Sequence, residues 1–228
     1  GYKFVGRTTT KTEGNSAGIL IATTKEQPGV RSAIEQPVDI DRDGRVLELA
    51  LQFPPITIVA AYLPCYNTDV QGRSDYAPKY MKCFASKYIG ALKDARDRGR
   101  EILICGDLQV AITDLDQTEN AAPGGSGSTT EERLALRGLF TDATYADFYR
   151  MCNPTARDFT SEAAHTQWTG KPSGTATVGK RIDYILGSSN LHASYVFCRL
   201  TDFPGRARLE FGHFFIPCFF PPGSVRKL

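Results

Sequence analysis

The stretch Ile102-Leu-Ile-Cys-Gly-Asp-Leu-Gln109 decides the fold, because an apolar run leads directly into a glycine and an acid. Apolar residues without alternation are typical of a strand that is buried on both faces of a sheet. The residues that follow such a strand are held on a rigid scaffold, where they can present chemistry. Asp107 is therefore the first candidate catalytic residue, although an aspartate at a strand end also commonly starts a turn or caps a helix.

The segments before this strand predict an α/β fold with helices packed on sheets. Upstream, β-rich runs predict three strands, at residues 17–23, 45–52 and 56–63. From Ser74 to Arg98 apolar residues recur at steps of three or four, which predicts an amphipathic helix that ends at Gly99. Because this helix separates two predicted strands, the order is that of a layered α/β domain.

The segments after the central strand continue the same pattern. A capping-box pattern at Ser128-Thr-Thr-Glu131 predicts the start of a second helix. The residues before it, 120–128, are rich in Pro, Gly and Ser and are interpreted as a flexible connection. Later strands are predicted at 181–186, 193–200 and 211–220. Since no second composition regime is visible, we expect a single domain over residues 1–228.

The overall composition restricts the function classes only loosely. The 27 basic residues nearly balance the 25 acidic ones, so a nucleic-acid surface would have to be a local patch. The six cysteines lack a C-x-x-C pair and predict reduced core thiols of an intracellular protein. No apolar run approaches the roughly 20 residues that cross a bilayer, so no membrane partner is expected.

Two further ionisable residues stand in apolar surroundings, where an unpaired charge is costly. Asp183 lies in a predicted strand, on the opposite face from Ile182 and Tyr184, and needs a partner if it is buried. His213, within an aromatic run, could be that partner, since a carboxylate on one ring nitrogen orients an imidazole for proton transfer or phosphate contact. The alternative for His213 is a core histidine without a catalytic role.

A series of short motifs follows a fixed order between about residues 14 and 217. They are Asp43-Gly-Arg-Val46, Val59-Ala-Ala-Tyr-Leu-Pro64, Cys105-Gly-Asp-Leu-Gln-Val-Ala111 with Asp114-Leu-Asp116, Ser128-Thr-Thr-Glu-Glu-Arg133, His165-Thr-Gln-Trp168, Gly179-Lys-Arg-Ile-Asp-Tyr184 and Gly212-His213. Each is weak alone. Together they resemble the exonuclease III-type apurinic/apyrimidinic (AP) endonucleases of the endonuclease/exonuclease/phosphatase superfamily, which share the DNase I-like fold.

This resemblance implies a four-layer α/β/β/α sandwich of the α/β or α+β class and a Mg²⁺-dependent hydrolysis of phosphodiesters. Asp107 would orient or deprotonate the attacking water. Asp183 would hold His213 against the scissile phosphate, and Tyr62 would donate a hydrogen bond to a phosphate oxygen. Gln109 stands at a catalytic position that is an asparagine in the family pattern.

The sequence also departs from the family pattern. Gln109 is one methylene longer than the family's asparagine, which would displace its contacts and can cost about a hundredfold in rate. Gly212 replaces the acid that precedes the histidine. The strands that carry the family's asparagine and metal-binding glutamate normally precede the region that begins at Gly1, so we expect an N-terminally incomplete domain without its first strand or strands. Because Mg²⁺ commonly relies on one or two protein carboxylates, such losses weaken its site.

Two function classes therefore remain open. In the first, Mg²⁺-dependent nuclease activity is weakened or lost, and the protein is a nucleic-acid-binding or structural component of a larger assembly, such as a ribonucleoprotein or a repair complex. In the second, an active AP endonuclease or retrotransposon-type nicking endonuclease has metal-binding strands outside this chain. Gln109 and Gly212 favour the first class. Phosphatase action on a soluble phosphoester fits the superfamily but matches the motifs less well.

Contacts with DNA or RNA are assigned to residues in or beside predicted loops. There basic groups could bind phosphates without reading bases, and aromatic groups could stack on a base. The candidates are Arg73, His165, Trp168, Lys180 and Arg181, with Lys171, Arg206 and Arg208 as further basic residues. Solvated surface or simple packing is the alternative for each. Nucleic acid is the expected partner, further protein partners remain open, and the nucleus or mitochondrion is the expected location.

Overall fold

The computed structural model describes residues 2–8, 18–24, 44–52, 55–65, 76–118, 127–141, 145–163, 178–188, 191, 197–198 and 218–219. In the first part of the chain, β1 (Tyr2–Thr8) and β2 (Gly18–Thr24) form an antiparallel pair. The sequence predicted β2 but not β1. Two other antiparallel pairs join β7 (Ser161–Ala163) to β8 (Val178–Lys180) and β10 (Phe197–Cys198) to β11 (Cys218–Phe219).

A five-stranded mixed sheet lies at the centre of the described structure. Its strands are β3 (Val46–Ala50), β4 (Ile56–Tyr62), β5 (Glu101–Asp107), β6 (Tyr145–Asp147) and β9 (Asp183–Ser188). They lie in the order β3-β4-β5-β9-β6, and only the pair β4 and β5 is parallel. The apolar strand predicted from the sequence is thus the middle strand, with a neighbour on each side and helices on both faces.

The helices pack on both faces of this sheet. On one face, α1 (Tyr76–Asp97) and α2 (Thr130–Thr141) cover a core to which β5 contributes Ile102 and Ile104. On the other face, α3 (Phe148–Cys152) packs its aromatic residues near Leu103. The connection through α1 is the crossover that a parallel strand pair requires. None of the described helices is long and apolar enough to cross a bilayer.

Most predicted elements lie within a few residues of the observed ones. The helix predicted from Ser74 to Arg98 spans Tyr76–Asp97, whereas the strands predicted at 193–200 and 211–220 are described only over 197–198 and 218–219. The connection predicted at 120–128 lies largely outside the described residues. The prediction of the capping box was wrong by one residue: Thr129 and Glu132 bond each other's backbone amides and side chains. The Ser128 hydroxyl instead accepts a hydrogen bond from Lys180 Nζ.

The cysteines whose exposure the structure describes divide into exposed and partly buried thiols. Cys65, after β4, and Cys83, on the outer face of α1, are both exposed, so the prediction of core thiols was wrong for them. No described cysteine forms a disulfide. Burial raises the pKa of the Cys105 thiol, on β5, to about 12. Since the thiolate is the reactive form, the described cysteines should differ widely in reactivity.

We expect an alkylating reagent at pH 8 to modify Cys65 and Cys83 in the native protein long before Cys105. The reason is that Cys105 is held in the strand as a neutral thiol, whereas the other two face water. Peptide mapping by mass spectrometry after timed labelling measures the three rates. Labelling in urea is the control, because the rates should then become similar. Native labelling of Cys105 as fast as that of Cys83 would contradict the burial of this strand.

Candidate functional site

The ends of four strand segments place a row of polar side chains across the central sheet. Tyr62 lies opposite Asp107 in the parallel pair of β4 and β5, and Asp107 lies opposite Asp183 in the antiparallel pair of β5 and β9. Arg45 extends the row, because its carbonyl accepts a hydrogen bond from the amide of Tyr62 at 2.8 Å. Directly opposite residues project to the same face of a sheet. The row therefore contains three of the five predicted catalytic positions, Tyr62, Asp107 and Asp183.

The two aspartates of this row are unusually close for like-charged residues. The amide of Leu108 donates to the carbonyl of Ile182 at 2.8 Å, which makes Asp107 and Asp183 a non-hydrogen-bonded pair. In such pairs the Cα atoms are only about 4.5 Å apart and the side chains are at their closest. Like charges directly opposite destabilise a sheet. This pair is thus better explained by a role in a site than by a contribution to stability.

Gln109 holds the carboxylate of Asp107. Its backbone amide donates to Asp107 Oδ1 at 2.8 Å, and its side-chain Nε2 donates to Asp107 Oδ2. To do this, Gln109 adopts a φ of 60°, in the left-handed region that residues other than glycine, asparagine and aspartate seldom enter. The predicted fourth position of the site therefore contacts Asp107 directly, at the cost of local backbone strain.

The loop after Asp107 is fixed by glycine and tyrosine. Gly106 has a φ of 138°, and a Cβ added there would lie 2.0 Å from the carbonyl oxygen of Ala61. Only glycine allows this approach of β5 to β4. Beyond the site, the buried hydroxyl of Tyr184 accepts from the amide of Ile112 at 3.1 Å and donates to the carbonyl of Val110 at 2.8 Å. These contacts explain why the motif needs a glycine before Asp107 and a tyrosine after Asp183.

Tyr62 is the most exposed member of the row, with 40% of its surface open to solvent. Partial burial raises the pKa of its phenol above the ordinary value, and the carboxylate of Asp107 raises it further. The guanidinium of Arg45 lies 5.4 Å from the ring centre and acts in the opposite direction. Because the net shift is upward, Tyr62 keeps its proton at neutral pH and can donate a hydrogen bond.

A buried group of charges includes Arg181, which lies two residues before Asp183 in the chain. The Arg181 guanidinium, which is 1% exposed, bonds Asp116 at 2.8 Å and Asp147 at 2.6 Å. Asp116 also accepts from Arg150 at 2.6 Å. Burial alone would raise the pKa of Asp116, but Arg181 and the hydrogen-bond donors around it hold this pKa below its ordinary value. The placement disagrees with the predicted nucleic-acid contact of Arg181, because its charged group is enclosed and paired.

Lys180, the residue before Arg181, is less buried than Arg181. Its side chain is partly buried, and its Nζ donates to Ser128 Oγ at 3.2 Å. Burial lowers its pKa, against an upward effect of the Glu132 carboxylate. The other predicted residues lie outside the described part of the chain: His213, the fifth catalytic position, and the nucleic-acid candidates Arg73, His165, Trp168, Lys171, Arg206 and Arg208.

Sequence reasoning missed Arg45 and the partners of Arg181. Arg45 was inside a quoted motif, but its place in the row depends on which residue of β4 it faces. Asp116 was also inside a motif, and its burial depends on Arg150 and Arg181, which come from distant parts of the chain. The sequence marked Arg45 and Asp116 only by including them in the short motifs. The residues with which they pair are decided by the tertiary structure.

Mg²⁺ prefers hard oxygen ligands, which Asp107 and Asp183 can provide. Among the described residues, however, no group of three or more His, Cys, Asp or Glu side chains is arranged to hold a metal ion. These residues therefore do not by themselves form a complete metal site, and a metal would need further ligands from other parts of the protein.

Comparison with known proteins agrees with the resemblance seen in the motifs. No protein-family model matches the chain. A DNA-(apurinic or apyrimidinic site) endonuclease from Dictyostelium discoideum is 31% identical over 182 residues, which are 78% of this chain and 45% of that protein. An exodeoxyribonuclease from Bacillus subtilis is 28% identical over 153 residues, or 66% of this chain and 55% of that protein. The chain spans about half the length of these curated relatives.

Solved structures share the fold at low sequence identity. An AP endonuclease from Leishmania major matches with a TM-score of 0.76 and 20% identity, covering 96% of this chain and 70% of that one. A 3′ phosphatase from Neisseria, bound to a product DNA hairpin, matches with a TM-score of 0.70 and 18% identity, covering 96% and 79%. These matches confirm the predicted DNase I-like α/β fold.

We expect Arg181→Met to lower the free energy of unfolding by about 3–5 kcal/mol, because it leaves one buried and one partly buried carboxylate without their main counter-charge. The partners concerned are Asp116 and Asp147. Urea denaturation followed by circular dichroism measures the change. The matched control is Arg98→Met at an exposed position, where about 0.5 kcal/mol or less is expected. Equal stability of the two variants would contradict a structural role for the buried network.

We expect the Tyr62 phenol to titrate above pH 10, because burial and the nearby Asp107 carboxylate both disfavour the phenolate. The absorbance change at alkaline pH, taken as the difference between wild type and Tyr62→Phe, isolates this group. Asp107→Asn in the same comparison should move the titration of Tyr62 to lower pH. A Tyr62 titration at or below the ordinary phenol value, or one that Asp107→Asn does not change, would contradict this interaction.

Proposed function

Because this chain is a relative of the exonuclease III-type AP endonucleases, with the DNase I-like fold of the endonuclease/exonuclease/phosphatase superfamily, we propose that it carries a weakened phosphodiesterase site for nucleic acid. The substrate class is DNA that contains abasic sites. The observation that carries the proposal is the row of Arg45, Tyr62, Asp107 and Asp183, which runs across the central sheet at the ends of its strands. In this row Asp107 can accept a proton from water, and Tyr62 and Arg45 can donate hydrogen bonds to phosphate oxygens.

In the proposed reaction a water attacks the phosphorus and the bond to one ester oxygen breaks. Asp107 accepts a proton from the attacking water, the departing oxygen takes up a proton from a solvent water, and Asp107 afterwards returns its proton to the solvent. Tyr62 donates a hydrogen bond to a phosphate oxygen that gains charge in the transition state. Arg45, a cation beside Tyr62, attracts the same phosphate. Asp183 orients His213, which contacts the scissile group.

Reduced activity is proposed because Gln109 competes for Asp107. Both carboxylate oxygens of Asp107 accept hydrogen bonds from Gln109, so an attacking water must share an oxygen with a protein donor. Asparagine tolerates the left-handed backbone of this position better than glutamine does, and its shorter side chain would reach less far. Gln109 is thus the residue whose replacement should raise the rate.

A second candidate function is nucleic-acid binding without cleavage, as a component of a larger assembly with protein partners. It is favoured by the same Gln109 contacts and by the replacement of an acid by Gly212. We further propose a nuclear or mitochondrial location, since both compartments contain DNA. A requirement for Mg²⁺ is proposed from the chemistry of Asp107 and Asp183, with additional ligands from residues beyond those described.

The test is cleavage of a duplex with one abasic site by the 228-residue chain, with Mg²⁺ and with a chelator. We expect slow, Mg²⁺-dependent cleavage that Asp107→Asn lowers by about a hundredfold or more, as for removal of a general base. Gln109→Asn should raise the rate, by up to about a hundredfold if misplacement is its main defect. Asp94→Asn, at an exposed position of α1, is the matched control and should change nothing.

Other results would decide between the proposals. Binding of the abasic duplex without cleavage, in both the wild type and Gln109→Asn, would favour the non-cleaving component. Cleavage that survives Asp107→Asn would refute the role given to this acid. A rate equal in wild type and Gln109→Asn, yet dependent on Asp107, would show an active enzyme that Gln109 does not impair.

A further inference from the structure

The backbone amide of Asp183 donates to a side chain that lies outside the central sheet. In the non-hydrogen-bonded pair with Asp107, the amide of Asp183 points away from β5. On that side the neighbouring strand is β6, but β6 pairs with β9 only from Leu186 onward. A partly buried amide needs a hydrogen-bond acceptor, and here a group outside β5 and β6 provides it.

Thr160 supplies the acceptor that the sheet lacks. Its Oγ1 accepts hydrogen bonds from the amides of Ile182 at 3.0 Å and Asp183 at 3.1 Å. Its own amide donates to the carbonyl of Lys180 at 3.0 Å. Thr160 is completely buried, and a β-branched side chain has few rotamers, so the position of the hydroxyl is well defined. One side chain thus takes the place of a missing strand beside the candidate site.

We propose that Thr160 is a positioning residue that acts through Asp183. By holding two successive amides, it fixes the start of β9 and hence the direction of the Asp183 carboxylate relative to Asp107. The inference rests on the proposed phosphodiesterase function. It adds a residue that lies outside all of the quoted motifs and that does not touch the reacting atoms. A displacement of a positioned group by about 1 Å can cost a hundredfold in rate.

The first experiment compares three threonine variants in the abasic-site cleavage assay. Thr160→Val keeps the shape but removes the acceptor, and we expect kcat to fall by about tenfold to a hundredfold with KM changed by about twofold or less. Thr160→Ser keeps the hydroxyl and should retain most of kcat. Thr155→Val, at an exposed position of the same segment, is the matched control. Equal loss in Thr160→Ser and Thr160→Val would overturn the proposal.

A double-mutant comparison separates positioning from simple destabilisation. If Thr160 acts through Asp183, then Thr160→Val should lower kcat much less in an Asp183→Asn background than in wild type. A purely structural role would lower kcat by the same factor in both backgrounds. Such equal factors would overturn the proposal.

Amide hydrogen exchange tests the inference independently of any cleavage measurement. In the wild type, the amides of Ile182 and Asp183 should be strongly protected, and in Thr160→Ser they should remain so. An Asp183 amide that exchanges as fast as an exposed one in the wild type would overturn the proposal, even if Thr160→Val did not fold. If the wild type cleaves nothing but this protection is found, the proposed function fails while the hydrogen bonds of Thr160 stand.

Discussion

The antiparallel pairing of β5 with β9 is the interaction on which the candidate site depends. It places Asp107 and Asp183, which are far apart in the chain, directly opposite each other. The parallel pairing of β4 with β5 then adds Tyr62 to the same row. Because side chains alternate between the faces of a strand, a slip of one residue in the pairing of β5 with β9 would turn Asp183 to the other face. Asp183 would then no longer lie beside Asp107. The candidate site therefore depends on the register of β4, β5 and β9.

Several contacts besides the ladder hydrogen bonds oppose such a slip. Gly106 permits an approach to Ala61 that no other residue could accept. Tyr184 ties the loop after Asp107 to β9, and Arg181, just before β9, is fixed between the buried Asp116 and the partly buried Asp147. A buried ion pair adds little net stability when the desolvation of its charges is counted, but breaking it leaves a charge uncompensated. We infer that this network serves mainly to specify one arrangement of the segments that meet there.

The site itself is built against local preferences. Two carboxylates face each other in the closest type of strand pair, and Gln109 adopts a backbone conformation that suits its side chain poorly. Features of this kind persist where the surrounding structure holds them, and they are common at functional sites. The hydrogen bonds from Gln109 to Asp107 offset part of this cost. In doing so they engage the group that the proposed reaction requires, which links the stability of the site to its proposed slow rate.

The sequence by itself determined the α/β fold class, the central strand, the two long helices and the positions of Tyr62, Asp107 and Asp183. Apolar periodicity and short motifs are local properties of the chain, so they can be recognised without coordinates. The roles of Arg45, Arg181 and Thr160 were decided only by the tertiary structure. Arg181 was predicted to contact nucleic acid, since a lone arginine in a sequence gives no sign of distant carboxylates. Nothing in the sequence indicated the role of Thr160. Thr160 can accept from the amide of Asp183 because the pairing of β6 with β9 ends before Asp183, which only the tertiary structure shows.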